Sequence, residues 1–71
     1  MNEATINIIK HGMKKYWRYR HIAIYKEHDN KSYFVCLRGY DDSENCITIY
    51  GVENVSVYDL LKVIHDMEAF I

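Results

Sequence analysis

The chain contains no proline, only three glycines and two cysteines, and its longest unbroken apolar run spans just Tyr33 to Leu37. Each scarcity excludes something. That run is far below the ~20 apolar residues needed to cross a bilayer as a helix, so no membrane partner is expected. Gly12, Gly39 and Gly51 are scattered, so no glycine-rich loop exists to cradle a phosphate, and no cofactor is implied. Two cysteines cannot build the dense disulfide framework of small secreted folds. Met1 to Lys10 shows no basic stretch followed by an apolar core, so no secretory signal is expected. The expectation is a cytoplasmic protein with reduced thiols, in which the sequons at Asn30 and Asn54 are inert. With no proline-rich or low-complexity linker and no repeat, residues 1–71 read as one domain. A chain of this length buries only about 60% of its unfolded surface, so its core is thin.

What is present is a strong alternating pattern. Arg20 to Glu27, Ser32 to Gly39 and Asn45 to Val52 read as three antiparallel strands. His28-Asp29-Asn30-Lys31 joins the first two, and Asp29-Asn30 suits a two-residue hairpin loop, because Asp and Asn tolerate left-handed backbone. That turn sets Ile24 opposite Val35 and Ile22 opposite Leu37, with Tyr25 facing Phe34, Ala23 facing Cys36 and His21 facing Arg38. In the third strand Ile47 and Ile49 alternate with Cys46, Thr48 and Tyr50. Matching the aliphatic sides gathers Ile22, Ile24, Val35, Leu37, Ile47 and Ile49 onto a core face. The reverse face then carries Ala23, Tyr25, Phe34, Cys36, Thr48 and Tyr50, with His21 and Arg38 beside them.

Helices are expected at both ends. Asn2 to about Trp17 has Ile6, Ile9, Met13 and Tyr16 or Trp17 at helical spacing, with Asn2 as cap and Gly12 as a weak point. Lys10, Lys14 and Arg18 would line one side of it. After Gly51-Val52-Glu53-Asn54, Ser56 caps a second helix, with Asp59 three residues on and Val55 placed to pack on Leu60. Val57, Leu60, Leu61, Ile64 and Met67 form its apolar stripe, the natural cover for the aliphatic sheet face. The fold class is α+β, in the order α-β-β-β-α.

Motifs for chemistry are weak. Asp41-Asp42-Ser43-Glu44-Asn45 starts like a calcium loop, but Cys46 stands where the loop needs glycine and Val52 where it needs a bidentate Glu. Cys36 and Cys46 lie on different strands, without the closely spaced ligand pairs of zinc sites, and a disulfide between them would demand a tight register. His21 lies diagonal to Cys36, but nucleophilic catalysis also needs an orienting group and oxyanion donors beside a cleft. The chain reads as a non-enzyme with no small-molecule substrate.

The aromatics and the charges carry more. Seven tyrosines, one tryptophan and two phenylalanines exceed what so small a core hides, and such residues are favoured where surfaces meet partners. Lys10, Lys14, Lys15, Arg18 and Arg20 follow one another without an acid, while from Asp41 onward Lys62 alone opposes seven acids. The first expectation is a regulatory or adaptor module that binds a protein partner or itself, as a homodimer, through Tyr25, Phe34, Tyr50, Arg38, Tyr19 and Trp17. The alternative is a nucleic-acid binder using Lys10, Lys14, Lys15, Arg18 and Arg20.

The element order resembles that of double-stranded-RNA-binding domains, and its last four elements resemble the three-strands-plus-helix modules at integrase N-termini. The lysine-rich start of the final helix in the RNA-binding family is replaced here by Ser56, Tyr58 and Asp59, so the resemblance carries no functional residue across.

Overall fold

The hairpin register is the first thing the backbone settles. In the computed structural model, which describes all 71 residues, strand β1 (Arg18–Lys26) pairs antiparallel with β2 (Tyr33–Tyr40). Ile24 sits opposite Val35, Ile22 opposite Leu37, Tyr25 opposite Phe34, Ala23 opposite Cys36 and His21 opposite Arg38, as the alternation predicts. The connection is wider than two residues. Asn30 takes positive φ and donates to the Glu27 carbonyl, while the Asp29 carboxylate accepts from the amides of Lys31 and Ser32 at 2.8 and 2.9 Å. Glu27 still pairs with Ser32, so the wider loop leaves the register untouched.

Strand β3 (Cys46–Val55) completes an open sheet in the order β1-β2-β3. Its pairing slips twice. Leu37 faces Tyr50 but Arg38 faces Thr48, leaving Ile49 as an extra residue; Tyr33 faces Val55 but Val35 faces Val52. Such bulges reset which residues point to which side. At the second one Asn54 adopts positive φ, and the Glu27 carboxylate reaches across to take its amide at 3.0 Å while also holding Ser32 Oγ at 2.9 Å.

Both helices lie on the same side of this sheet. Helix α1 (Glu3–Met13) starts as expected, with the Asn2 carboxamide accepting from the Thr5 amide at 2.8 Å. It stops four residues short of Trp17, because the amides of Lys15 and Tyr16 both turn back to the Gly12 carbonyl and the chain crosses over to the sheet. Arg18 therefore belongs to β1 and does not extend the lysine row of the helix. Gly12 has a packing reason: a Cβ there would stand 2.8 Å from Ile49 Cγ2, so glycine lets the helix approach β3. Helix α2 (Leu60–Glu68) also begins late. Ser56 to Asp59 forms a turn, with Ser56 Oγ donating to Asp59 at 3.0 Å instead of capping a helix. Val57 and Leu61 consequently face solvent, and the buried stripe is Leu60, Val63, Ile64, Met67 and Phe70.

The core is small. Ile9 from α1, Met67 from α2, and Val35, Leu37 and Val55 from the sheet form one buried cluster, with Ile22, Tyr33, Ile49, Tyr50 and Val52 packed around it. The helices cover only part of the edge strands β1 and β3, so Ile24 and Ile47, expected in the core, are substantially exposed.

A pH dependence follows from the two Asx-turn carboxylates. The Ser32 and Lys31 amides hold the Asp29 carboxyl below its ordinary value of 3.8. The Asn45 amide, assisted by Ser43 and by the charge of Lys15, does the same for Asp41. A carboxyl depressed by folding adds stability that is complete above its unfolded value and is lost as pH falls through the lower folded value. We expect a melting temperature level above about pH 5 that drops below about pH 4. Thermal melts from about pH 6 down to about pH 2 check it: Asp29→Asn with Asp41→Asn should flatten the acid limb, and an unchanged limb would contradict the assignment.

Candidate interaction face of the sheet

The sheet side away from the helices is covered by no other element of the chain. Alternation gives it His21, Ala23 and Tyr25 from β1, and Phe34, Cys36, Arg38 and Tyr40 from β2. From β3 it takes Cys46, Thr48 and Gly51. Tyr25 is 49% exposed, whereas Phe34 is half-buried because its ring lies flat on Gly51, where a Cβ would stand 2.5 Å from Phe34 Cζ. Cys36 has no exposure even without a helix above it, and its Sγ points to the Ala23 carbonyl at 3.7 Å. Rings and guanidinium thus roof the midline of the face, which is low and smooth.

Arg38 is the centre of its polar part. Its guanidinium donates to Cys46 Sγ at 3.4 Å and to the Tyr25 hydroxyl at 3.5 Å, and the Cys46 sulfur foremost, with Tyr25, holds its pKa above the ordinary value. The same sulfur pushes the Tyr40 phenol up, so both groups keep their usual charge at neutral pH. At the corner where β1 begins, Tyr19 adopts positive φ as the bulge residue of β1, which turns its ring edge-on to Tyr40 at 6.1 Å. His21 Nδ1 donates to the Tyr19 carbonyl at 2.9 Å, and Arg18 stacks on Tyr19 at 5.4 Å and on Trp17 at 6.0 Å.

Of the residues proposed from sequence, Tyr25, Phe34, Arg38 and Tyr19 share this face. Tyr50 does not. The bulge at Ile49 sets Tyr50 opposite Leu37, on the helix side, where it packs against the core cluster. Trp17 stands at the rim, half-exposed, with its indole donating to Asp42 at 3.2 Å. Tyr40, His21 and Cys46 join the cluster; the period-two spacing of Tyr40 from Phe34 and Arg38 is the sequence signal that places it there.

The basic segment is distributed over several surfaces. Lys14, Lys15, His11 and Trp17 border a shallow cleft with Asp41, Asp42 and Ser43, so the acidic loop stands against the basic stretch. Lys10 is exposed on α1, Arg18 lies on the uncovered face, and Arg20 alternates to the helix side and reaches back to the Trp17 carbonyl at 3.5 Å. The cations expected to form a single phosphate-binding row therefore do not line one surface.

A second apolar patch exists elsewhere: Val57, Tyr58 and Leu61 are strongly exposed at the start of α2. Compared with known proteins, the chain matches no family model, no curated protein and no solved structure.

Proposed function

We propose that the chain is a small non-enzymatic interaction module of regulatory or adaptor type that docks a protein partner on the uncovered sheet face. The observation that carries this reading is the placement of both helices on one side of a three-stranded sheet. That leaves Tyr25, Phe34, Tyr40 and Arg38 as a connected aromatic surface with a single central cation. Contiguous exposed apolar surface of this kind marks interaction sites, and Tyr and Arg are the side chains that most often anchor them. Their rings bring large contact area while the phenol and guanidinium keep polar partners.

The test is the double variant Tyr25→Glu with Phe34→Glu, compared with Tyr58→Glu with Leu61→Glu on α2. Circular dichroism checks that both stay folded. Association of the sheet variant, with itself or with another protein, is expected to weaken by about tenfold or more, since truncating anchor residues costs 1–2 kcal/mol or above. The α2 variant should associate as the parent does. Equal association by the sheet variant would end this reading.

Binding of nucleic acid is the second reading, supported by Arg18 stacked between Trp17 and Tyr19. The acidic loop beside Lys14 and Lys15 opposes it. It requires an affinity that falls steeply with salt, with a slope lessened by Lys14→Ala and Arg18→Ala.

A further inference from the structure

Resting on the reading of the uncovered face as a docking surface, we propose that its partner is a second copy of this chain, packed sheet to sheet about a two-fold axis that runs across the strands. The charge on the face is divided along the strand direction. At the end where β1 begins stand Arg18, His21 and Arg38. Asp41 and Glu44 border Arg18 there, which leaves Arg38, bonded only to the neutral groups of Cys46 and Tyr25, as the cation without an acid beside it. At the hairpin end Glu27, Asp29 and Glu53 border one shallow hollow beside Phe34, with Lys26 as the single lysine among them, so acids predominate there.

Two identical sheets can face each other by two simple two-fold operations. An axis along the central strand would lay like ends together, Arg38 near Arg38 and Glu53 over the hairpin end of the other copy's β1. An axis across them lays the basic end of each copy on the acidic end of the other. Charge complementarity selects the second, and symmetry makes every contact occur twice.

The register then names the neighbours. Arg38 and Phe34 are equidistant from Cys36 on β2, and His21 and Tyr25 are equidistant from Ala23, which pairs with Cys36. Arg38 of one copy therefore lies over the Phe34 ring of the other, a cation–π arrangement. Glu53 stands on the adjoining strand, about 4.8 Å to the side and within reach of the guanidinium. Gly51 makes the close approach feasible, because it lets Phe34 lie flat instead of standing up from the sheet. Three strands of about eight residues offer a footprint of roughly 26 by 14 Å. Counted over both copies this is about 700 Å² of buried surface, below the range of stable specific complexes, so the dimer is a weak one.

Sedimentation equilibrium of the full chain, together with nuclear Overhauser contacts between isotope-labelled and unlabelled copies, tests it. The wild-type chain should dimerise with a dissociation constant in the micromolar range or above. Arg38→Glu and Glu53→Arg should each weaken the dimer about tenfold, and the two together should restore it to within about threefold. Intermolecular contacts should join the Arg38 side chain to the Phe34 ring. Glu53 lies on an edge strand, so its variant carries the charge test if Arg38→Glu fails to fold, and the wild-type contacts need no variant. A chain that remains monomeric at about 1 mM overturns the proposal. So does a dimer indifferent to both charge changes, or one whose contacts join Arg38 to Arg38. A monomer that binds a different protein, and loses it on Tyr25→Glu with Phe34→Glu, removes the second copy while keeping the docking face.

Discussion

Gly39→Ala is expected to unfold much of the protein at physiological temperature. A Cβ at this position would stand 2.5 Å from the Tyr16 carbonyl oxygen and 3.1 Å from Ile49 Cδ1. The oxygen is backbone, at the point where the chain leaves α1 and crosses β2, and it cannot move without shifting that crossing. Gly39 has ordinary negative φ, so the demand is for space alone. Overpacking typically costs 1–3 kcal/mol and more where backbone must move. A domain of this size has only ~3–5 kcal/mol to lose. A cost of about 3 kcal/mol lowers the melting temperature by roughly 12–24 °C, read by circular dichroism. Gly12→Ala supplies the contrast. Its Cβ meets a side-chain atom, Ile49 Cγ2 at 2.8 Å, on a β-branched residue stiff at χ1, so the helix must shift slightly, and alanine's gain of about 1 kcal/mol in helix propensity offsets part of that cost. That variant should lose less than Gly39→Ala, and equal losses at both glycines would refute the crossing argument.

Leu37→Ala is the second large effect. Leu37 is completely buried, between Ile22 on β1 and Tyr50 on β3. Removing a buried leucine's methyl groups costs about 2–5 kcal/mol, through lost transfer free energy and the cavity left behind. Only seven of 71 residues are buried, so there is little neighbouring core to collapse into the gap. The expected result is loss of a cooperative thermal transition. Leu61→Ala, on a side chain 81% exposed, should change stability by no more than about 0.5 kcal/mol. A cooperative Leu37→Ala melt within a few degrees of the parent would show that the core lies elsewhere.

Much of this architecture was legible because two periods dominate the sequence. The hairpin register follows from matching Ile22 and Ile24 to Leu37 and Val35, and a wider loop left it intact, since Glu27 and Ser32 remain partners. The sorting of aliphatics from rings on β1 and β2 came from the same alternation. On β3 simple alternation fails, because period two assumes an uninterrupted ladder. Ile47 and Ile49 have odd parity and Val52 even, so all can face the core only if the strand bulges between them, which it does. That parity change was the visible signal, and following it would have moved Tyr50 to the helix side. The helix ends were harder. Ser56 and Asp59 have the composition of a capping box, but β3 runs on to Val55 and the intervening residues form a turn. Nothing local to residues 14–17 announces the crossing that ends α1; Gly39, more than twenty residues away in sequence, makes room for it. On the uncovered face the positions of Tyr25, Phe34 and Arg38 follow from alternation, whereas the placement of the acidic loop beside the basic segment is tertiary and could not be read.

The most direct measurement is a dilution series of the wild-type chain followed residue by residue through its backbone and aromatic chemical shifts. Association through the bare side of the sheet predicts concentration-dependent changes at Tyr25, Phe34, Arg38 and Thr48, with Tyr33 and Tyr50 unmoved beneath the helices. Changes gathered instead on Val57, Tyr58 and Leu61 at the head of α2 would contradict it.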